Sequence, residues 1–467
     1  ETIGNGLCDH LRVAIHNIKS NDKIPKFLFS FAGQGGRYLR ELNKRHDDAK
    51  DPRAGTRQSG GGYYRTSIDD VRRANSEARL SGQSYSVLAV TWMQGEANAN
   101  GRLNRWDFPL ERAAFLDAYQ QDLIDLKNDY QQDIAEITGQ SFKPLFLTYQ
   151  TAGNMSGIAQ LRASNEEKDI FMVGPTYMLP NAENSYYSVG GHWRTGDGIH
   201  LTADGERWLG EQFGKVIARI ITAGEDWKPL QPMRATYLPD EYSFIVDFHV
   251  PVGSIVIDTA FLPPQGKGLG FEVNDASGEA YGIAEVTAVN KTALRFVLGK
   301  VPARGTQLFL QYGQQSEVYD VPAPISNIKS RDDGDSRGTL LELTFDGDLS
   351  KTFMPLMQEG VFYLSNRVSQ DSLFTNIIVR DVKINAKGNT VLSGFAKDLK
   401  NGILFSVGQT CYVSRRYAYG NIRDEDEEQA IYKFADPSYG SRHGQPYPLW
   451  NWCIAFTDLP ITQKNKP

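Results

Sequence analysis

Short apolar runs alternate with helical patterns over the first 222 residues, and this alternation constrains the fold more than any other feature of the chain. Strands are predicted at 27–31, 86–92, 145–149 and 170–173. Helices are predicted over 5–18, 111–133 and 203–222 from apolar residues three or four positions apart. A further helix is predicted over 66–80 from a possible N-cap at Ser67 or Thr66, with acidic residues at 69 and 70 in its first turn. Strands that alternate with helices imply an α/β fold whose parallel sheet is covered on both faces.

The pattern changes at Trp227-Lys-Pro229, beyond which short β-type runs are separated by turn residues. A chain of 467 residues has room for two to four domains. We expect an α/β domain over 1–225, followed by β-sandwich-type domains. One β-rich domain is predicted to combine 226–325 with 412–467, and a second, inserted β-rich domain covers 326–411.

Composition excludes several classes of function. The net charge of −6 argues against binding driven by attraction to nucleic acid or to an anionic membrane. No apolar run approaches the roughly 18 residues of a membrane span. The cysteines, at 8, 411 and 453, have neither metal-ligand spacing nor the pattern of a disulfide framework. The acidic run 424–428 is predicted to be a solvated face.

Two short polar motifs stand out on the α/β part, namely Trp92-Met-Gln-Gly-Glu96 and Asp197-Gly-Ile-His200. A carboxylate three residues before a histidine can orient that imidazole as a general base. A glutamine and a backbone N–H after a strand can donate to a developing oxyanion. The Gly-rich turn at 32–36 also follows a predicted strand, so both turns belong at the carboxyl edge of one sheet. Taken singly, each motif is equally compatible with a capped surface turn.

In this order the motifs resemble those of the SGNH (GDSL-like) hydrolases, and among them the sialate O-acetylesterase-like carbohydrate esterases. That subgroup has a Gly block after the second strand, Trp-x-Gln-Gly-Glu after the third, and Asp-x-x-His before the last helix. Further motifs, up to Tyr447-Pro-Leu-Trp-Asn-Trp452, are similar to the β-domain that follows such esterase domains. The resemblance implies a three-layer α/β domain and removal of O-acetyl groups from a polysaccharide.

The resemblance also implies roles for individual residues. His200 would be the general base and Asp197 would orient it. Gln94 would take the oxyanion position, with the backbone N–H of Gly35 or of Gly36 as a second donor. Glu96 would support the Gln94 turn or contact substrate. No metal or cofactor is needed for this chemistry.

One part of the family pattern is missing, because the chain has no Gly-Asp-Ser or Gly-Gln-Ser-Asn block to supply the nucleophile. We expect the first strand and its serine to lie upstream of residue 1, which would leave this chain inactive on its own. Alternatively the 32–36 turn is a degenerate first block, with Gly35 in the place of the serine. Ser30, expected in the core, and Ser59, expected in a loop, are candidates only by default.

Some phage tailspikes that deacetylate host surface polysaccharide carry such a domain, so we expect a virion (tail) or otherwise extracellular location. The partner is then an O-acetylated polysaccharide, with neither nucleic acid nor membrane, and a tailspike would form a homotrimer. Two rival hypotheses remain. In the first, the chain is a polysaccharide-binding module without activity. In the second, it is a structural component of the virion.

Overall fold

The computed structural model describes most of the chain. The ranges covered are 3–18, 26–46, 62–151, 154–180, 186–189, 192–195, 200–262, 265–313, 318–321, 323–332, 339–350, 353, 362–365, 376–396, 405–415, 419–435 and 437–463. Within these residues, no helix is both long and apolar enough to cross a membrane.

In the described part of the first half of the chain, five α-helices surround a three-stranded parallel sheet. The helices are α1 (Ile3–Ile18), α2 (Gly62–Leu80), α3 (Arg112–Thr138), α4 (Met155–Glu166) and α5 (Ala203–Ala218). The sheet has the order β1 (Ala89–Trp92), β2 (Leu145–Gln150), β3 (Ile170–Pro175). Two further strands, β4 (Tyr186–Val189) and β5 (His192–Thr195), pair as an antiparallel hairpin before α5.

Helices cover both faces of this sheet. On β2, Leu147 and Tyr149 pack into a core formed with α1 and α5. Phe146 points to the other face, into a core formed with α2, α3 and α4. Alternate residues of a strand face opposite sides, so one apolar run supplies both cores. The chain is therefore α/β as predicted, with a parallel sheet and several further sheets.

The predicted strand at 27–31 is wrong. These residues are extended but belong to no strand, although Phe27 and Phe29 pack against the core beneath α1. The side chains of Leu28 and Phe31 are exposed, at 69% and 76%. The apolar run was correctly recognised, but no neighbouring strand hydrogen-bonds to it within the part of the chain that the structure describes.

Other elements depart from prediction in their limits. The helix predicted at 66–80 begins at Gly62, so Thr66 lies inside the helix and does not cap it. The Thr66 hydroxyl donates to the Gly62 carbonyl at 2.8 Å. Helix α4 was not predicted. Asn154 caps it by accepting hydrogen bonds from the backbone N–H groups of Ser156 and Gly157.

The second half of the chain contains β-strands and short 3₁₀ turns in the described residues. The strands are β6 (Gln231–Leu238), β7 (Ser243–His249), β8 (Val256–Ile257), β9 (Phe271–Asp275), β10 (Ile283–Asn290), β11 (Ala293–Leu298), β12 (Leu308–Tyr312), β13 (Val318–Asp320), β14 (Ile325–Asp332), β15 (Thr339–Phe345), β16 (Phe362–Ser365), β17 (Asn376–Ile384), β18 (Thr390–Ala396), β19 (Tyr412–Arg415), β20 (Ile422–Arg423), β21 (Gln429–Lys433), β22 (Pro446–Pro448) and β23 (Phe456–Gln463).

These strands form two seven-stranded sheets. The first has the order β10-β11-β7-β6-β23-β12-β9, and the second β13-β19-β16-β17-β18-β15-β14. Two small pairs, β8 with β20 and β21 with β22, accompany them. The second sheet is formed by the chain between β12 and β23. The strands β13 and β19 pair with each other, so residues 318–320 and 412–415 are part of this second sheet.

The acidic run at 424–428 is a solvated face only at Glu425 and Glu427, which are exposed, and the prediction is wrong for its two aspartates. The side chains of Asp424 and Asp426 are buried. Asp426 accepts from Lys215 at 3.0 Å and from Arg219 at 2.8 Å, both at the end of α5. Buried charges need such partners because desolvation is costly. The run therefore attaches the C-terminal part of the chain to the α/β part.

A histidine on α1 extends this contact. His10 is buried, with Nδ1 2.9 Å from a Glu211 carboxylate oxygen and Nε2 2.9 Å from a Glu428 oxygen. Burial alone would lower the pKa of His10, but the two carboxylates raise it overall above its usual 6.5. Burial would raise the pKa of Glu428, but hydrogen bonds from His10 and Arg219 lower it from 4.5 to about 2.

These pKa shifts predict how the contribution of His10 to stability changes with pH. A raised histidine pKa stabilises the fold fully below 6.5, and this stabilisation is lost as pH rises through the raised pKa. The lowered pKa of Glu428 stabilises the fold fully above pH 4.5, and this stabilisation is lost as the pH falls toward about 2. The free-energy difference between wild type and His10→Gln should therefore be larger at about pH 5.5 than at about pH 9 in urea unfolding. An equal or larger difference at the higher pH would contradict this assignment.

Candidate functional site

The Gln94-Gly95 turn follows β1 directly and is held by buried hydrogen bonds. Tyr119 of α3 donates to the Gln94 side-chain oxygen at 2.8 Å. Gln160 of α4 donates to the Gln94 backbone carbonyl at 2.6 Å, and Ser156 donates to the Gly95 carbonyl at 3.0 Å. Two of the three helices on this sheet face, α3 and α4, thus fix the turn at the carboxyl end of β1.

Gly95 is required by the geometry of this turn. Its φ is +153°, a conformation that residues with a side chain rarely adopt. A Cβ at this position would also collide with the hydroxyl of Thr151, at the end of β2. The glycine of the Gln-Gly-Glu motif therefore allows the ends of β1 and β2 to lie close together.

The predicted oxyanion residues are brought together. The Gln94 side-chain amide donates to the backbone carbonyl of Arg37, the residue after Gly36, at 3.0 Å. Gly35 and Gly36 form the turn there, and among the described residues no atom other than those of the chain neighbours lies within 4 Å of a Cβ built on either. Arg105 donates to the Gly36 carbonyl at 2.6 Å from the other side. The turn is thus held at its ends and has open space beside it.

Gln94 is itself buried, and its amide group is fully engaged. Its two N–H bonds are directed to the Arg37 carbonyl and to Oδ1 of Asn98, at 2.6 Å. Asn98 is held in turn, since Oδ1 also accepts from the backbone N–H of Leu39 at 3.1 Å. In this state Gln94 positions the glycine turn. Direct donation by Gln94 to an oxyanion stays a prediction and requires that one of these bonds be exchanged.

Glu96 is exposed and lies at the same edge. Tyr149, near the end of β2, donates to its Oε1 at 2.5 Å. Burial, together with the charge of Glu96, raises the pKa of Tyr149 well above its usual value. Tyr149 therefore remains a neutral donor that holds Glu96 in place, and the second Glu96 oxygen makes no hydrogen bond within the described residues.

His200 lies at this edge too. It is exposed in a bend before α5, whose N-cap Thr202 accepts from the Gly205 backbone N–H at 3.2 Å. The Thr202 backbone N–H donates to the Pro180 carbonyl, beyond the end of β3, at 3.1 Å. Thr176, also beyond β3, donates to the carbonyl of Gln150 at the end of β2, at 3.2 Å. The ends of β2 and β3 and the His200 bend are thus linked.

Two carboxylates lie close to His200 in the sequence, those of Asp197 and Glu206. Asp197, predicted to orient the imidazole, lies outside the described residues. Glu206, in the first turn of α5, is a carboxylate that the sequence analysis did not select. Burial raises the pKa of Glu206, and the charge of His200 lowers it in part, so the two groups interact.

Of the two serines that were candidates by default, the structure describes Ser30. It is exposed rather than in the core, contrary to expectation, because the segment that carries it has no sheet partner among the described residues. Its hydroxyl donates to Oδ2 of Asp70 on α2 at 2.7 Å. Ser59 lies outside the described residues. Ser156 is close to Gly95 but completely buried, so substrate cannot reach its hydroxyl.

Sequence reasoning missed the residues that hold the site. Tyr119 was recognised only as part of the apolar face of α3, and Gln160 and Ser156 lie on the helix that was not predicted. The signal for α4 was Asn154 before a segment with Ile158 and Leu161 three residues apart. Among the described residues, no group of three histidine, cysteine or acidic side chains could hold a metal ion.

Comparisons with known proteins give little further information. No protein-family model matches the chain, and no curated protein matches it. One similar solved structure is a carbohydrate acetylesterase from Xanthomonas citri, with 14% identity and a TM-score of 0.43 over 66% of this chain. The matched region spans 60% of that protein. Another is the N-terminal part of the bacterial S-layer protein SbsC, with 13% identity and a TM-score of 0.16 over 71% of this chain and 76% of that one. TM-scores this low carry no argument about function.

Proposed function

We propose that the chain is part of an SGNH-type carbohydrate O-acetylesterase with a three-layer α/β domain. One observation carries the proposal: the Gly35–Gly36 turn, the Gln94–Glu96 turn and His200 all lie at the carboxyl edge of one parallel sheet. Ligand sites of open α/β sheets lie at this edge. Open space beside the glycines and an exposed imidazole are what acyl transfer requires there.

In the proposed reaction, a serine oxygen attacks the acetyl carbonyl while His200, oriented by Asp197, takes the serine proton. The carbonyl oxygen becomes an oxyanion and accepts from the backbone N–H of Gly35 or Gly36. As the intermediate collapses, His200 returns the proton to the departing sugar oxygen. Water activated by His200 then cleaves the acetyl–serine ester and releases acetate.

The serine is proposed to come from a strand upstream of residue 1. Two features support this proposal. Within the described residues β1 is an edge strand of its sheet, with β2 on one side. The extended segment 27–31 also exposes Leu28 and Phe31, which an added strand would cover. A strand in this position would end at the same edge as the Gln94 turn.

The substrate is proposed to be an O-acetylated polysaccharide, and the setting a phage tailspike that acts on a host surface glycan as a homotrimer. The test measures acetate release from an O-acetylated bacterial polysaccharide. It compares the 467-residue chain with one extended upstream by about one strand–helix unit. The same polysaccharide, stripped of acetyl groups with mild base, is the control substrate.

Acetate release by the extended protein alone is the expected result. Release by both proteins would place the nucleophile within the present sequence and contradict the upstream strand. Release by neither would exclude the esterase.

One observation favours a second candidate, a polysaccharide-binding module without activity. Both N–H bonds of the Gln94 side chain are already satisfied inside the protein, as expected of a site that no longer stabilises an oxyanion. This candidate predicts that the extended protein binds the acetylated polysaccharide without releasing acetate.

A further inference from the structure

A cavity of about 450 Å³ lies away from the sheet edge, in the β-rich part of the chain. It forms where β8 pairs with β20 and where the 3₁₀ turn Pro437–Arg442 comes close. We call it the arginine pocket, and its lining is Val256, Ile257, Asp258, Thr259, Ala260, Phe261, Arg423, Arg442 and Trp450. Its volume is in the range of pockets that hold small ligands, about 300–1,000 Å³.

Arg423 is held in a fixed orientation in this pocket. Its guanidinium lies 3.9 Å from the centre of the Trp450 ring. Its Nε donates to Oδ2 of Asp258 at 2.6 Å, and Nη1 donates to the Asp424 carbonyl at 2.7 Å. The remaining oxygen of Asp258 accepts from the backbone N–H groups of Ala260 and Phe261. Asp258 is thus fully used by the protein.

Arg442 is held in a similar way but without a carboxylate. Its guanidinium lies 3.9 Å from the centre of the Phe261 ring, and Nη2 donates to the Phe261 carbonyl at 2.6 Å. No acidic group lies within ion-pair distance of it in the described ranges. Burial lowers the pKa of Arg442 and the charge of Asp258 raises it in part, but an arginine keeps its charge in proteins. Because Asp258 already pairs with Arg423, the two partly buried guanidinium groups share one carboxylate, and the excess positive charge attracts an anion.

The pocket therefore has two guanidinium groups and one carboxylate, which is already occupied. Stacking on Trp450 and Phe261 fixes the planes of both arginines before any ligand arrives, and this reduces the entropy lost on binding. Planar N–H donors of this kind match the oxygens of carboxylate and phosphate.

We propose that the arginine pocket binds a small molecule that carries a carboxylate or a phosphate group and that this molecule is a sugar unit, the sugar part resting on the polysaccharide substrate of the proposed function. The oxyanion contacts Arg442, and Arg423, which also lines the pocket, adds positive charge. Arg423 lies over the ring of Trp450 and Arg442 over the ring of Phe261, so we expect the ligand to be recognised by its charged group rather than by stacking on these rings. This binding does not depend on the proposed esterase activity, because none of the pocket residues belongs to the sheet-edge site.

The experiment is calorimetric titration of the whole chain at low salt. Four probes are used: methyl glucuronide, its uncharged methyl ester, glucose 6-phosphate and inorganic phosphate. We expect binding of at least one sugar anion, and none of the uncharged ester. Preference for the glucuronide assigns a carboxylate sugar, and preference for glucose 6-phosphate assigns a phosphorylated one.

The variant Arg442→Gln should weaken binding of the preferred probe by about tenfold or more, since a charge-assisted hydrogen bond is lost. Arg304→Gln removes the same charge from an exposed turn of the same part of the chain and should change the affinity less than about twofold. Thermal unfolding of both variants checks that they are folded.

Three outcomes would overturn the proposal. They are binding of the uncharged ester as tight as that of the preferred sugar anion, binding by Arg442→Gln as tight as that of wild type, and the absence of binding by any sugar anion. The first and third need no variant, so the test stands even if Arg442→Gln does not fold. Binding of inorganic phosphate alone also counts against a sugar ligand.

Discussion

Replacing His200 with alanine is expected to lower kcat/KM for acetate release by about 10²–10⁴-fold in the upstream-extended protein, the usual contribution of a general base. His200 is exposed, so a substrate can reach it, and the following residues are tied to the end of β3 through Thr202 and Pro180. The bend that carries His200 is thus held at the sheet edge where the glycine turn lies. Loss of the base should leave substrate binding and folding largely unchanged.

A matched variant separates this role from a general effect of losing a histidine. His16→Ala removes an exposed histidine from α1 and should leave acetate release unchanged. Free imidazole added to His200→Ala should restore part of the rate, because a small base can enter the space that the side chain leaves. Full activity of His200→Ala, or a loss that imidazole does not restore, would contradict the assignment of His200 as the base.

Replacing Lys215 with methionine is expected to destabilise the protein by about 3–5 kcal/mol, as for removal of one partner from a buried ion pair. Lys215 is completely buried on α5. Its ammonium group donates to Asp426 at 3.0 Å, to Asn451 at 2.8 Å and to the carbonyl of Leu449. Methionine fills most of the volume but takes a donor from the Leu449 carbonyl and from Oδ1 of Asn451, and leaves Asp426 with Arg219 as its cationic partner.

Urea unfolding measures the loss, and Arg234→Met is the matched control. Arg234 pairs with Asp247 on the exposed face of the first seven-stranded sheet. Removing an exposed pair should cost less than about 1 kcal/mol. If Lys215→Met cost no more than Arg234→Met, the buried ionic contact would not be what joins α5 to the C-terminal part of the chain.

The sequence allows prediction of elements whose own periodicity defines them. Helix α3 follows from aromatic and aliphatic residues at helical spacing, and β2 from an uninterrupted apolar run. The segment 27–31 has an equally clear apolar run, yet a strand also needs a neighbour, which local sequence does not encode. The acidic run at 424–428 was misjudged for the same reason. Its partner Lys215 is 211 positions away from Asp426 along the chain.

The candidate site shows the same division. The turns at Gly35 and Gln94 could be placed at one sheet edge because parallel strands end together. The hydrogen bonds that hold these turns could not be predicted, since an amphipathic pattern treats Tyr119 as an apolar residue and ignores its hydroxyl. That Gln94 donates to the backbone beside Gly36 depends on side-chain orientation, which spacing does not determine.

The position of β23 affects when the protein can fold during its synthesis. This last strand lies in the middle of the first seven-stranded sheet, between β6 and β12. It runs parallel to β6, and the Thr462 hydroxyl donates to the Ala235 carbonyl, 227 positions earlier. Until β23 leaves the ribosome, β6 and β12 each present an unpaired edge. Contacts over such a separation form slowly, and exposed edges favour aggregation. The nascent chain should therefore depend on chaperones until β23 has been made, whereas the second sheet can form before then.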